Sequence, residues 1–414
     1  MEQRSKKICL RVDVYLDDGV IADVLARLPA KSVLRFRAAC KGWLRIIDSP
    51  AFPAAHARCR PLELLVYTRR EVVGPDGLPQ AAPELDLGAV AVPAHRPAEK
   101  QRPVARFPYS FDGGRTLYCS LLASCDGLLL IRHGAQQYLV LNPATWQWSD
   151  LPRLSRDALP QGARVAQHES GFYFHEPSGE YRLLCHISYD DFSAQATSTY
   201  YCVFSTGAKE PRRLGVQATP MNQTVATDHS MPTSGFFKNL MTPVVLHEHL
   251  HWLQHMEAGL TDQMVAFDTA AETFRRMPPP PVICKNHSHL LVANGSLVAA
   301  ELGHLFMDLW LLEGYDGGAA EGTWERRHRV HIAGLTRRPL LVAGGDGGDV
   351  LVGHNQGVVA YNLRSGTVRQ VVDADASGDG PLLPSRYVFR ESLVRHSFFE
   401  AQKHSGLRLF RFCP

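Results

Sequence analysis

The stretch LDDGVIADVLARLPAKSVLRFRAACKGWLRIIDSPAF, residues 16 to 52, decides how the rest of the chain is read. Asp17 and Asp18 can accept the amide hydrogens that open a helix. Val20, Ile21, Val24, Leu25 and Leu28 then recur at the spacing of one helical stripe. Pro29 biases Leu28 toward extended backbone, so the first helix stops there. A second helix is expected from Lys31 to Ala39, with Ser32 as its cap and Val33, Leu34 and Phe36 as its apolar set. A third runs from Lys41 to Ile47, presents Trp43, Leu44 and Ile47, and ends before Asp48-Ser49-Pro50. Below about 40 residues a domain usually needs a disulfide, a metal or a partner to be stable. The stretch offers neither of the first two, so a partner or the rest of the chain must cover its remaining apolar surface. An ordinary helical cap on a larger fold fits the same pattern.

Beyond about Pro61 the helical period disappears. Short runs rich in valine, leucine, tyrosine and phenylalanine alternate with glycine, proline, asparagine and aspartate. Leu121 to Pro152 is the clearest unit. Ser124-Cys125-Asp126-Gly127 reads as a turn, Leu128 to Ile131 and Tyr138 to Leu141 as strands, and Asn142-Pro143-Ala144-Thr145 as a second turn. Trp146-Gln147-Trp148 then opens a third strand, with both tryptophans expected on one side of it. Degenerate versions follow: Gly171-Phe172 with Tyr181 to Cys185 and Tyr200 to Phe204, then Val244 to Met277, Leu290 to Ile332 and Leu340 to Val372. Repeats of roughly 40 to 50 residues with several strands each suggest propeller blades, with a large β-sandwich as the alternative. Arg69 to Ala105, Gly215 to Pro243, Asp316 to Gly322 and Ala374 to Ser385 read as long irregular connections.

Several ordered matches give these segments a family resemblance. Arg27-Leu28-Pro29-Ala30-Lys31-Ser32-Val33-Leu34-Arg35-Phe36-Arg37, Cys40-Lys41-Gly42-Trp43 and Asp48-Ser49-Pro50-Ala51-Phe52 resemble the F-box of the large plant F-box family. In the body, Ser124-Cys125-Asp126-Gly127, Leu141-Asn142-Pro143-Ala144-Thr145, Ala266-Phe267-Asp268 and Glu391-Ser392-Leu393-Val394 resemble the kelch-like F-box associated domain. The expectation is an α+β multidomain chain. It has a tail over 1–15, a three-helix F-box over 16–60, and a mainly-β, propeller-like domain over 61–414 with six irregular blades and a low-complexity loop at 69–105.

The resemblance implies a non-catalytic substrate receptor of a cullin-RING ubiquitin ligase of the SCF type. In that reading Leu16, Val20, Leu28, Pro29, Val33 and Leu34 meet a Skp-type adaptor, and through it a cullin, while Trp43 packs the hook and borders that surface. The β-domain would hold a target protein for ubiquitylation; no cofactor or metal is implied. One departure bears on affinity: the family has leucine-proline where this chain has Leu16-Asp17, and Gly19 loosens the first turn. Weaker adaptor binding is the consequence expected. An F-box scaffold without ligase output is a second outcome of the same resemblance.

Composition narrows the remaining classes. A formal charge of +3 and a pI near 8.3 are too mild to argue for nucleic acid. Nine cysteines show no C-x-x-C pair and no even framework, and Cys40, Cys125, Cys185 and Cys202 fall in apolar runs, expected as buried thiols. That fits a reducing compartment, cytoplasm or nucleus. Met1 to Leu10 carries Arg4, Lys6 and Lys7 with no apolar region behind them, so no signal peptide is expected. No charge-free run reaches the length of a membrane span.

Two motifs point elsewhere. His247-Glu248-His249-Leu250-His251 matches H-E-x-x-H, which on a helix would place two zinc-binding histidines one turn apart with the glutamate as base. A metal-dependent hydrolase is therefore the alternative function. Its strand-like flanks, Val244-Val245-Leu246 and Leu250-His251-Trp252-Leu253, instead favour a turn at Glu248-His249. Gly344-Gly345-Asp346-Gly347-Gly348-Asp349 is a single copy of a calcium-binding β-helix start, and such sites need stacked copies. No G-x-S-x-G elbow anchors a nucleophile.

Overall fold

A computed structural model describes residues 16–70, 84–92, 101–107, 110–112, 115–117, 119–133, 136–155, 164–191, 196–215, 243–254, 263–281, 288–303, 305–318, 322–331, 340–342, 348–354, 357–373 and 382–400. They fall into two units, one ending at Arg60 but joined by Glu391–Arg395, the other holding Pro61–Arg390 and the residues from His396.

The first unit is helical. Helix α1 spans Asp18–Arg27, with Asp17 as its cap: the carboxylate accepts from the Gly19 N–H at 3.1 Å. Leu28 is extended (φ −80°, ψ 152°), as a residue before proline should be. Helix α2 spans Ala30–Phe36, earlier at both ends than expected, and Ser32 lies inside it rather than capping it. Helix α3 spans Lys41–Ile47, and the Cys40 sulfur accepts from the Trp43 N–H at 3.4 Å. Cys40 is exposed, which corrects the expectation of a buried thiol there. A fourth helix, α4 (Phe52–Cys59), was not expected. Asp48-Ser49-Pro50 read as an exit from helix, but α4 starts just beyond it with Pro53 in its first turn, where a proline lacks only an N–H that the helix leaves unused. Leu25, Ala26, Ala30, Val33, Ile47 and Phe52 are buried, and Phe36 meets Trp43 edge to face at 5.0 Å.

The second unit is a six-bladed propeller of antiparallel four-stranded sheets. Blade 1 combines β1 (Glu63–Arg70), β2 (Glu84–Ala91) and β3 (Arg102–Phe107) with β26 (Leu382–Phe389) in the order β26-β1-β2-β3. A two-stranded hairpin follows, β4 (Ser110–Asp112) and β5 (Arg115–Leu117). Blade 2 is β6 (Cys119–Cys125), β7 (Leu128–His133), β8 (Gln137–Asn142) and β9 (Gln147–Asp150); blade 3 is β10 (Arg164–His175), β11 (Glu180–Asp191), β12 (Ala196–Ser205) and β13 (Arg212–Arg213). Blade 4 is β14 (Val244–Leu246), β15 (His249–Gln254), β16 (Gln263–Asp268) and β17 (Thr273–Met277). Blade 5 comprises β18 (Ser288–Ala293), β19 (Ser296–Leu302), β20 (Phe306–Glu313) and β21 (Thr323–His331); blade 6 comprises β22 (Leu340–Val342), β23 (Asp349–His354), β24 (Gly357–Asn362) and β25 (Val368–Asp373).

Apolar layers fill the gap between each neighbouring pair of blades and close the ring. Strand β7 shows how the sequence encodes this. Leu128 and Leu130 enter the layer against blade 3, while Leu129 and Ile131 enter the layer against blade 1. A strand buried on both faces has no polar side, hence its unbroken apolar run. Blade 1 corrects two expectations. The low-complexity loop at 69–105 contains β2 and the start of β3, and the irregular stretch Ala374 to Ser385 runs into β26. No local repeat announces this blade, because its strands come from opposite ends of the propeller sequence.

One turn recurs in blades 2, 4 and 6. Asn142, Asp268 and Asn362 each accept through Oδ1 from the backbone N–H groups two and three residues on, at 2.8 to 3.3 Å. The fourth residue on is then left-handed: Trp146 (φ 59°), Glu272 (φ 52°) and Gly366 (φ 68°). Trp146 therefore sits in the turn, exposed, and does not share a strand face with Trp148, which packs against the layer holding Leu139 and Leu141. Asp126-Gly127, His247-Glu248 and Asn294-Gly295 are two-residue hairpin turns with both residues left-handed.

Candidate functional site

Two places could receive a partner: the apolar surface of the helical unit and the centre of the propeller. On the helical unit, Leu16, Val20 and Val24 are 51%, 49% and 54% exposed. Val20 and Val24 stand four residues apart and share one line along α1, while Leu16 lies just ahead of the helix, before its Asp17 cap. Farther round the helix, Leu25 and Ala26 are buried. Leu44 on α3 is a fourth exposed apolar residue. Exposed valines and leucines aligned on one small unit are the kind of surface that marks an interaction site.

The other expected contacts are distributed differently. Pro29 is exposed, and Leu28, Leu34 and Trp43 are half-buried. Val33 departs from expectation: it has no exposed surface and can only support such a site from behind. Val24 and Leu44 were read from the sequence as apolar helix positions but not as contacts; the i, i+4 spacing from Val20 was the available signal for Val24. The Leu28 carbonyl accepts from His56 Nε2 at 2.9 Å. A carbonyl can only accept, so that nitrogen carries the proton. Burial holds the His56 pKa below its ordinary value and keeps the ring neutral.

At the propeller centre lies a cavity of about 410 Å³. The first strands of blades 1 to 5 reach it, with Leu122, Leu250 and Leu290 as apolar lining and Glu169, Ser170 and His289 as polar lining. Glu169 accepts from the Tyr138 hydroxyl at 2.8 Å and from Arg132 at 3.1 Å. The volume suits a small molecule or ordered water.

Three sequence features resolve as structural. The H-E-x-x-H motif lies on the β14–β15 hairpin, with His247 and Glu248 forming its turn. His251 is fully buried opposite Val244 and lies 2.8 Å from the Tyr315 hydroxyl, while the Glu248 carbonyl accepts from Thr269 N–H and hydroxyl. The helical face that zinc hydrolysis requires is replaced by a hairpin. Among the described residues no three His, Cys, Asp or Glu side chains gather to hold a metal; His255 lies outside them. Of the glycine-rich run at 344–349, only Gly348 and Asp349 are described; Asp349 accepts from Asn362 and Arg369.

Glu272 combines a left-handed backbone with a buried carboxylate, two signals often found at functional sites. Burial alone would raise its pKa, but hydrogen bonds from Arg212, Tyr173 and Arg182 bring it below the usual range. Those donors come from blade 3, so the charge ties two blades together. Cys185 and Cys202 face each other as buried free thiols, and burial pushes both pKa values up, which makes them unreactive.

Comparison with known proteins agrees with this architecture. Residues 16–54 match the F-box domain. The F-box protein At5g49610 of Arabidopsis thaliana is 24% identical over 404 residues, covering 91% of this chain and 96% of its own length. The F-box/kelch-repeat protein At1g15680 of the same plant is 24% identical over 342 residues, covering 77% of this chain and 73% of its own. Among the described residues no helix is long and apolar enough to cross a membrane.

Proposed function

We propose that this chain is a non-catalytic substrate receptor of a cullin-RING ubiquitin ligase, its F-box docking a Skp-type adaptor and its propeller holding a target protein. The observation that carries the reading is the exposed apolar set of Leu16, just ahead of α1, and Val20 and Val24 on it, inside the region that matches the F-box domain. An isolated soluble unit would bury such a set; a unit that waits for a partner leaves it open. Leu28, Pro29, Leu34, Trp43 and Leu44 extend the proposed contact, with Val33 behind them.

The chain then acts by proximity. Held on the propeller, a target lysine is presented to the conjugating enzyme at high effective concentration, and the bond-making groups belong to other subunits. A propeller scaffold can carry many different loop surfaces, so the fold does not define the target. Cys40, Cys59, Cys125, Cys185 and Cys202 are free thiols, which suits the reducing cytoplasm or nucleus where such ligases work.

The test is the affinity of the purified chain for a recombinant Skp-type adaptor, beside the Leu28→Asp variant. Binding by the wild type that is lost in a folded variant is the expected result. No binding by folded wild-type protein would overturn the reading.

A further inference from the structure

We infer that Glu391, from the far end of the chain, is a positioning residue for the adaptor contact; this rests on the docking reading above. Helix α2 opens at Ala30 behind Pro29, and Pro29 offers no side-chain cap. The first N–H groups of a helix have no partner within it. Ala30 has no exposed surface, so bulk water does not serve its N–H. The Glu391 carboxylate does so, at 3.2 Å, and is itself only 4% exposed.

The same carboxylate pairs with Arg60 at 3.2 Å, and Arg60 donates from its other arm to the carbonyl of Arg27, the last residue of α1. One ion pair therefore holds the backbone on both sides of Leu28-Pro29. At the end of the same five-residue segment, Arg395 contacts Asp48 at 2.6 Å, and Asp48 also accepts from Arg37 at 3.1 Å. Arg37 and Asp48 are the residues that close α2 and α3. Residues 391–395 thus form a strap that grips α2 at its start and, through Asp48, at its end. A buried ion pair that loses one partner leaves a charge unpaired, and here an amide as well. The Leu28-Pro29 corner is where that loss would be felt.

The experiment uses the full chain as wild type, Glu391→Ala and Glu391→Gln. Adaptor affinity is measured together with hydrogen exchange of the amides at 25–36. Glu391→Ala should weaken binding by about tenfold and speed exchange at Ala30, with exchange in the propeller strands unchanged. Glu391→Gln keeps an oxygen for the Ala30 N–H and should recover part of the affinity. A bulk stability role would lower the global unfolding midpoint and leave the affinity of the folded fraction intact. Wild-type affinity in Glu391→Ala to within about twofold, with exchange at Ala30 unaltered, overturns the inference. Should the wild type itself not bind the adaptor, the docking reading fails, and the exchange comparison still decides whether Glu391 fixes the corner.

Discussion

Truncating the α1 row without disturbing the helix separates docking from folding. In the double variant Val20→Ala/Val24→Ala, each change removes two methyl groups from a side chain about half exposed in the free protein. Each methyl is worth about 0.8 kcal/mol when fully buried, so covering the open half in a complex is worth about 0.8 kcal/mol per valine. The pair should then cost about 1.6 kcal/mol of binding, or about fifteenfold in Kd. Folding should change little, because the already covered half of each valine is lost at about 0.8 kcal/mol while alanine, the better helix former, returns about 0.6 kcal/mol. Isothermal titration against the adaptor gives Kd, and a urea titration of the variant checks its stability. Equal affinity in variant and wild type, with α1 intact, would show that this row is not the docking surface.

Three further outcomes follow from the propeller. Asn142→Ala removes the acceptor for two turn amides, one of them on the buried Ala144, and should cost about 2 kcal/mol by urea denaturation; a loss below half of that would put the turn's order elsewhere. His186 and His251 are buried with pKa values of about 4, desolvation being the main cause, against 6.5 unperturbed. They are neutral when folded, so as pH falls below 6.5 the unfolded chain takes up protons first. Stability present above that value drains as pH falls toward 4, by on the order of 2 kcal/mol per histidine between pH 7 and 5, and His251→Phe should flatten the pH dependence of the urea midpoint. Ending the chain at residue 381 removes β26 and Phe389 from blade 1 and should abolish cooperative unfolding; a retained single transition would mean the ring does not need that strand.

What could be read from the sequence alone follows a physical dividing line. Helix α1 and helix α3 were legible because apolar spacing, an Asp cap and a following proline act within a few residues. Blades 2 to 6 were legible for the same reason: a two-residue turn or an Asn142-type turn is a local event that repeats. Helix α4 was missed where a local signal, proline, has opposite meanings inside a helix and in its first turn. Trp146 was misplaced because its left-handed turn continues the alternation of a strand in sequence but not in space.

Tertiary structure decided everything that depends on which distant segment arrives. Blade 1 exists only when β26 joins strands more than 270 residues earlier, so no window of sequence contains it. Glu391-Ser392-Leu393-Val394 resembled part of the β-domain, yet it packs into the helical unit, where Glu391 meets Ala30. Most important for function, periodicity places Val20, Val24, Leu25 and Leu28 on one broad apolar stripe but cannot say which of them the rest of the protein covers. Burial is a property of the assembled fold: it takes Leu25 and leaves Val20 and Val24 open, and that difference is what turns an amphipathic helix into a candidate docking surface.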